Sequence, residues 1–128
     1  MTPTMIEFCV PDDIAEIAEG LGATADAFDG QRILIAGGMG FLGRYFTALF
    51  DHLNQKVLHQ PCRVVVLDSL ITATDAVMET KPGQGIEFRQ HTIIDPIADD
   101  EGFDFILQAA GIASPYYYRK YPLETLEV

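Results

Sequence analysis

The sequence predicts an α/β protein: a Rossmann-type parallel sheet with flanking helices, ending after about four strands. Three observations carry this. Ile33-Leu34-Ile35-Ala36 and Val64-Val65-Val66-Leu67 are short, unbroken apolar runs of the kind shown by strands buried on both faces. The first runs straight into a glycine-rich turn, Gly37–Gly43, and then into a segment with apolar residues at helical spacing. Strand-like and helix-like segments go on alternating towards the C-terminus, which favours a parallel sheet over hairpins.

In chain order, residues 1–29 read as an N-terminal extension with a short helix. Pro11-Asp12-Asp13 opens it, with acidic residues where the helix dipole favours them. Ile14, Ile17 and Ala18 follow, and Gly20 and Gly22 are expected to end it. Thr24–Gly30 reads as a loop. Residues 30–128 read as the dinucleotide-binding domain. After the glycine turn, Leu42, Tyr45, Phe46, Leu49 and Leu53 outline an amphipathic helix. Ile71–Glu79 is expected as a short helix, Lys81–Gly85 as a turn, Ile86–Gln90 as a weaker strand and Phe103–Leu107 as a fourth. Ser114-Pro115 opens a last helix, Ser as N-cap and Pro at the first helical position. Right-handed crossovers place the first strand centrally and the ligand crevice at the carboxyl ends of the strands.

Charge and cysteines narrow the function. The 128 residues carry eight Lys and Arg against nineteen Asp and Glu, a formal net charge of −11. That disfavours nucleic acid, which needs clustered cations, and an anionic membrane surface. Cys9 and Cys62 are not in a paired spacing, and His52, His59 and His91 show no ligand spacing, so no metal site is expected. No signal peptide and no membrane span is legible, and the cytoplasm is the expected compartment.

The glycine turn carries the chemistry. It can be framed with Gly38, Gly40 and Gly43 or with Gly37, Gly40 and Gly43. Either framing gives a tight turn, a backbone that a pyrophosphate can approach, and close packing of helix on strand. Free N–H groups at the helix start then face the anion. Asp68 ends the second strand about 25 residues beyond Gly43, the place of a ribose acceptor. A carboxylate there repels a 2′-phosphate, and no Arg or Lys follows in Ser69-Leu70-Ile71-Thr72, so NAD is expected rather than NADP.

At these residues the sequence resembles the extended short-chain dehydrogenase/reductase family of NAD-dependent sugar epimerases and dehydratases. That family's first turn reads Thr-Gly-Gly-Ala-Gly-Phe-Ile-Gly; here it is Ala36-Gly37-Gly38-Met39-Gly40-Phe41-Leu42-Gly43. Gln108–Pro115, Tyr118, Tyr121-Pro122-Leu123 and His91–Pro96 are similar to segments of its UDP-glucuronate decarboxylases. The resemblance implies pyrophosphate contacts from the backbone of Gly40, Phe41 and Leu42. It implies adenosine contacts from Asp68, Ser69 and Leu70, adenine flanked by Thr92 and Ile93, and the nicotinamide side lined by Ala109 and Gly111. It also implies a nucleotide-sugar substrate for a complete enzyme. Three positions depart from the family pattern: Thr92 for an Asp, Glu124 for a Lys and Gly111 for a Ser.

The family's catalytic Tyr-x-x-x-Lys pair is expected downstream of this region. Tyr116-Tyr117-Tyr118-Arg119-Lys120 fits the spacing but falls just after a helix start, before any strand that would bring the catalytic Ser or Thr. It reads as aromatic packing beside solvated cations. No catalytic residue is therefore assigned, and the chain alone is expected to bind without turnover. A stand-alone, non-catalytic NAD-binding module is the alternative reading, and a purely structural domain a third. Phe103–Leu107 is expected at an unpaired apolar edge, favouring self-association or a homodimer unless residues 1–29 fold back over it.

Overall fold

The computed structural model describes residues 10–71, 85–98, 101–112 and 114–128. Helix α1 (Pro11–Leu21) leads into a 3₁₀ turn (Gly22–Phe28), then β1 (Arg32–Ala36), α2 (Phe41–Lys56), β2 (Arg63–Asp68), β3 (Ile86–Gln90) and β4 (Phe105–Gln108). Two short helices, α3 (Pro115–Lys120) and α4 (Pro122–Glu127), follow. The expected helix at Ile71–Glu79 and turn at Lys81–Gly85 lie, but for Ile71 and Gly85, outside the described residues.

The four strands are parallel, in the order β3-β2-β1-β4. This is a Rossmann-type sheet with β1 inside it, as right-handed crossovers require. Ile33 and Ile35 of β1 join Val64 and Val66 of β2, Ile86 of β3, and Leu49, Phe50 and Leu53 of α2 in the main core. Alternation sends Leu34, Val65 and Leu67 to the opposite face, where Ile97 and Phe103 pack on them. Both central strands are thus covered on both sides, which is why they read as apolar runs without a polar alternate.

Several expectations change. Leu42 is largely exposed, so the buried stripe of α2 starts on Gly43 and continues through Thr47, Phe50 and Asn54. Thr47 fits this stripe because its hydroxyl donates to the Gly43 carbonyl (2.8 Å). The fourth strand begins at Phe105, not Phe103, because residues 102–104 wrap around Arg32. The Arg32 N–H donates to Asp104 Oδ2 (2.8 Å), its guanidinium donates to the Gly102 carbonyl (2.6 Å), and it lies 4.9 Å from the Phe103 ring centroid. The last helix breaks at Tyr121, because Pro122 has no N–H to continue the ladder. Ser114 precedes it without a side-chain capping bond.

The N-terminal segment shares the core. Gly20 lies inside α1, and Gly22 (φ +51°) ends it. Ile14 packs with Ala48 and Tyr45, and Ala18 and Ala25 enter the main core. Thr24–Gly30, expected as a loop, is mostly 3₁₀ turn, and it delivers Phe28 edge-on to Phe50 (5.2 Å) and Phe105 (5.1 Å). The apolar edge strand β4 is therefore only partly covered on this face: Leu107 packs against the core, but Phe105 stays 38% exposed, and Ile106 on the other face 65%.

At the far end of α2, Asn54 clamps the start of β2. Its Nδ2 donates to the Cys62 carbonyl (3.0 Å), and its Oδ1 accepts from the Cys62 N–H (2.8 Å) and Sγ (3.0 Å). Burial pushes the Cys62 thiol up to about 11, against a partial offset from the Asn54 bond. Asn54→Ala strands buried backbone groups, and urea denaturation should show a loss of about 2–4 kcal/mol. In a Cys9→Ser variant at pH 8, with about one Cys62 thiol in a thousand ionised, a thiol reagent should label the protein only once denaturant unfolds it.

Candidate functional site: a cleft at the carboxyl ends of the strands

The glycine turn begins where β1 ends. The N–H groups of Gly37 and Gly38 both donate to the Leu67 carbonyl (2.8 and 3.2 Å), tying the turn to the end of β2. Gly40 N–H then donates to the Gly37 carbonyl (3.2 Å), and the first helical bond of α2 runs from Arg44 N–H to the Gly40 carbonyl (3.0 Å). The N–H groups of Phe41, Leu42 and Gly43 precede that bond and have no acceptor within the helix.

The glycines divide into two kinds. Gly37 has φ +76°, and a Cβ on it would meet the backbone of Ala109 and Ala110 at 2.5–2.6 Å. A Cβ on Gly38 would enter the Val66 side chain at 2.0 Å. A Cβ on Gly43 would meet the Gly37 carbonyl oxygen at 2.2 Å and Gly38 Cα at 2.6 Å. All three are demanded by the chain itself. Gly40 is under less demand: its φ of −74° suits any residue, and a Cβ there would meet only the Gly37 oxygen, at a tight 3.3 Å that a shift of a few tenths of an ångström relieves. Gly40 is exposed, on the outer side of the turn.

That outer side is a cleft of about 640 Å³ across the carboxyl ends of the sheet. It lies where neighbouring strands β2 and β4 leave β1 on either side, the switch point at which open α/β sheets bind ligands. Asp68 forms its wall on the β2 side. Oδ2 accepts from Met39 N–H (2.9 Å) in the glycine turn, and Oδ1 accepts from Leu70 N–H (2.8 Å). The Asp68 carbonyl accepts from His91 N–H (3.0 Å), bringing the end of β3 alongside. Each carboxylate oxygen retains acceptor capacity, since a carboxylate has about four lone-pair sites. On the other side Ala109 N–H donates to the Ala36 carbonyl (2.8 Å), holding the end of β4 against the turn.

Gly37, Gly40, Phe41, Asp68, Ser69, Thr92, Ile93, Ala109 and Gly111 all line this cleft. Three residues expected there do not. Leu42 points to solvent, Gly43 is buried under the turn, and Leu70 (φ +61°) packs its side chain on Met39. Gly40 also differs from expectation in its role, because its N–H is already spent on Gly37. Met39, Arg44, Ile71, His91 and Ile112 line the cleft without having been singled out for it. Arg44 was legible in principle: it follows Gly40 by one helical turn and so shares its face. Glu124 and Glu127 reach the cleft from α4.

Tyr116 and Lys120 lie outside the cleft, on α3, where no residue is buried. The Lys120 ammonium sits 5.2 Å from the Tyr121 ring centroid and 6.0 Å from that of Tyr116. Hydrogen bonding to Tyr121 raises its pKa above the ordinary lysine value. No helix among the described residues is long and apolar enough to cross a membrane.

Fold and cleft together define a Rossmann-type α/β unit with its glycine turn at the switch point. Comparison with known proteins narrows this. The chain is similar to UDP-glucuronic acid decarboxylase 1 of Danio rerio and of Xenopus tropicalis, each 32% identical over 100 residues, 77% of this chain and 22% of the relative. It is also similar to UDP-glucuronic acid decarboxylase 2 of Arabidopsis thaliana, 28% identical over 99 residues, 77% of this chain and 20% of the relative. The chain spans about a fifth of the length of the curated relatives it matches. No family model matches it. These similarities support a relationship to the sugar epimerase and dehydratase enzymes at a coarse level.

The two kinds of glycine are separable by mutation. Gly37→Ala and Gly43→Ala each force backbone apart and should cost about 2 kcal/mol or more. Gly40→Ala should cost about 1 kcal/mol or less, the ordinary difference at a helix N-cap. Denaturant melts of the three variants check the ranking.

Proposed function

We propose that the cleft binds NAD and that the chain is the cofactor-binding portion of a nucleotide-sugar enzyme of the UDP-glucuronate decarboxylase kind. One observation carries the reading: Gly40 is the glycine of the turn that the chain itself needs least, and it lines the cleft at the start of α2, whose first N–H groups have no acceptor within the helix. A missing side chain there serves a ligand that approaches the backbone.

The residues fit such a ligand in parts. The N–H of Phe41, at the positive end of α2 and lining the cleft, would hold the pyrophosphate. Asp68 would accept from the adenosine ribose hydroxyls through the lone pairs that Met39 and Leu70 leave, with Ser69 alongside. Thr92 and Ile93 would flank adenine, and Ala109 and Gly111 would border the nicotinamide side. A second carboxylate-facing phosphate is disfavoured at Asp68, so NAD is preferred over NADP. Bound there, NAD would supply a reversible hydride acceptor for oxidation and re-reduction at the sugar C4. The residues of this chain bind and orient; Tyr116 and Lys120, outside the cleft, take no part in the proposal.

Asp68→Ala removes the ribose acceptor and loosens the turn at Met39. Gly40→Val fills the approach path while leaving Gly37 and Gly43 in place. Each should weaken NAD binding by roughly 1–3 kcal/mol, the scale of a lost charge-assisted hydrogen bond, and Asp68→Ala should narrow the preference over NADP. Titration calorimetry decides it: NAD affinity unchanged in Asp68→Ala sinks the assignment.

A further inference from the structure

We infer that Arg44 is the phosphate-pairing residue of the cleft, directed at the pyrophosphate of the dinucleotide; this rests on the NAD reading above. Among the described residues lining the cleft it is the one Lys or Arg, against three carboxylates, Asp68, Glu124 and Glu127. The chain as a whole carries a formal charge of −11. A dinucleotide brings a doubly anionic pyrophosphate into that field. The end of α2 offers the equivalent of roughly half a positive charge, which does not offset three carboxylates. A guanidinium at the same spot adds a full positive charge beside the phosphates, and its planar fork matches phosphate oxygens.

The placement follows from helix geometry. Arg44 is the fourth residue of α2, and side chains on a helix lean towards its N-terminus. Its Nε accordingly lies 3.4 Å from the Gly40 carbonyl oxygen, a long contact that fixes the half-buried side chain beside the glycine turn. This is the phosphate end of the cleft. The ribose end is marked by the Asp68 carboxylate at the end of β2, so Arg44 is assigned to the pyrophosphate and not to a 2′-phosphate.

The test is a set of binding titrations on the full chain with adenosine, ADP, NAD and NADP at two ionic strengths. In the unaltered protein, affinity for ADP and NAD should fall as salt rises, while affinity for adenosine should not. Arg44→Gln should lose about tenfold or more for ADP and NAD and leave adenosine unchanged, with a shallower salt dependence. Arg44→Lys should recover part of the loss. Equal losses for adenosine and ADP would mean that Arg44 only shapes the turn and would overturn the inference. So would a loss confined to NADP, or salt-independent ADP binding by the unaltered chain, which needs no variant to fold. If the unaltered chain binds NAD and Arg44→Gln binds it as tightly, this inference fails and the NAD reading stands. If the unaltered chain binds none of the four, both fail.

Discussion

The contact between Gly43 and the Gly37–Gly38 backbone sets the geometry of everything at the carboxyl end of the sheet. A hypothetical Cβ at Gly43 would come within 2.2 Å of the Gly37 oxygen, so helix α2 leaves the turn as close to β1 as two backbones can approach. That closeness fixes the direction of the helix start. It also sets how far Gly37 and Gly38 stand from the Leu67 carbonyl to which both donate. The turn, the first helical residues and the end of β2 form one rigid piece because backbone meets backbone without intervening side chains.

Asp68 extends the same piece to the cleft wall. Its two carboxylate oxygens each hold a backbone N–H, one in the glycine turn and one just past β2, and its carbonyl holds His91. A carboxylate fixed at both oxygens presents its remaining lone pairs in a defined direction, which is the preorganisation a ribose-binding group needs. The structural duty and the proposed ligand duty of Asp68 therefore coexist in one side chain. Loss of the residue would disturb both.

The body of the domain is held independently of the cleft. At the opposite end of α2, Asn54 satisfies both backbone groups of Cys62. The N-terminal helix and 3₁₀ turn cover the α2 side, with Phe28 bridging Phe50 and Phe105. This separation lets the cleft carry acidic and exposed polar groups, whose mutual repulsion and solvation do not touch the core. It also explains why the helices α3 and α4, which bury nothing, reach the cleft only through Glu124, Glu127 and Val128.

The amino-acid sequence by itself determined the sheet class, the central place of β1, the glycine turn and Asp68 at the end of β2. Each of these is written in local pattern: apolar runs, a strand-to-helix change of period, and residues at fixed offsets from the turn. Tertiary structure alone decided which glycines the chain needs for itself, because that depends on Ala109, Ala110 and Val66, far along the chain from the turn. It likewise decided that residues 102–104 close around Arg32 and that Phe28 meets Phe105 edge-on. Contacts between residues distant in sequence leave no period to read. Their outcome depends on angstrom-scale approach of packed backbones, which only the assembled sheet and helix define.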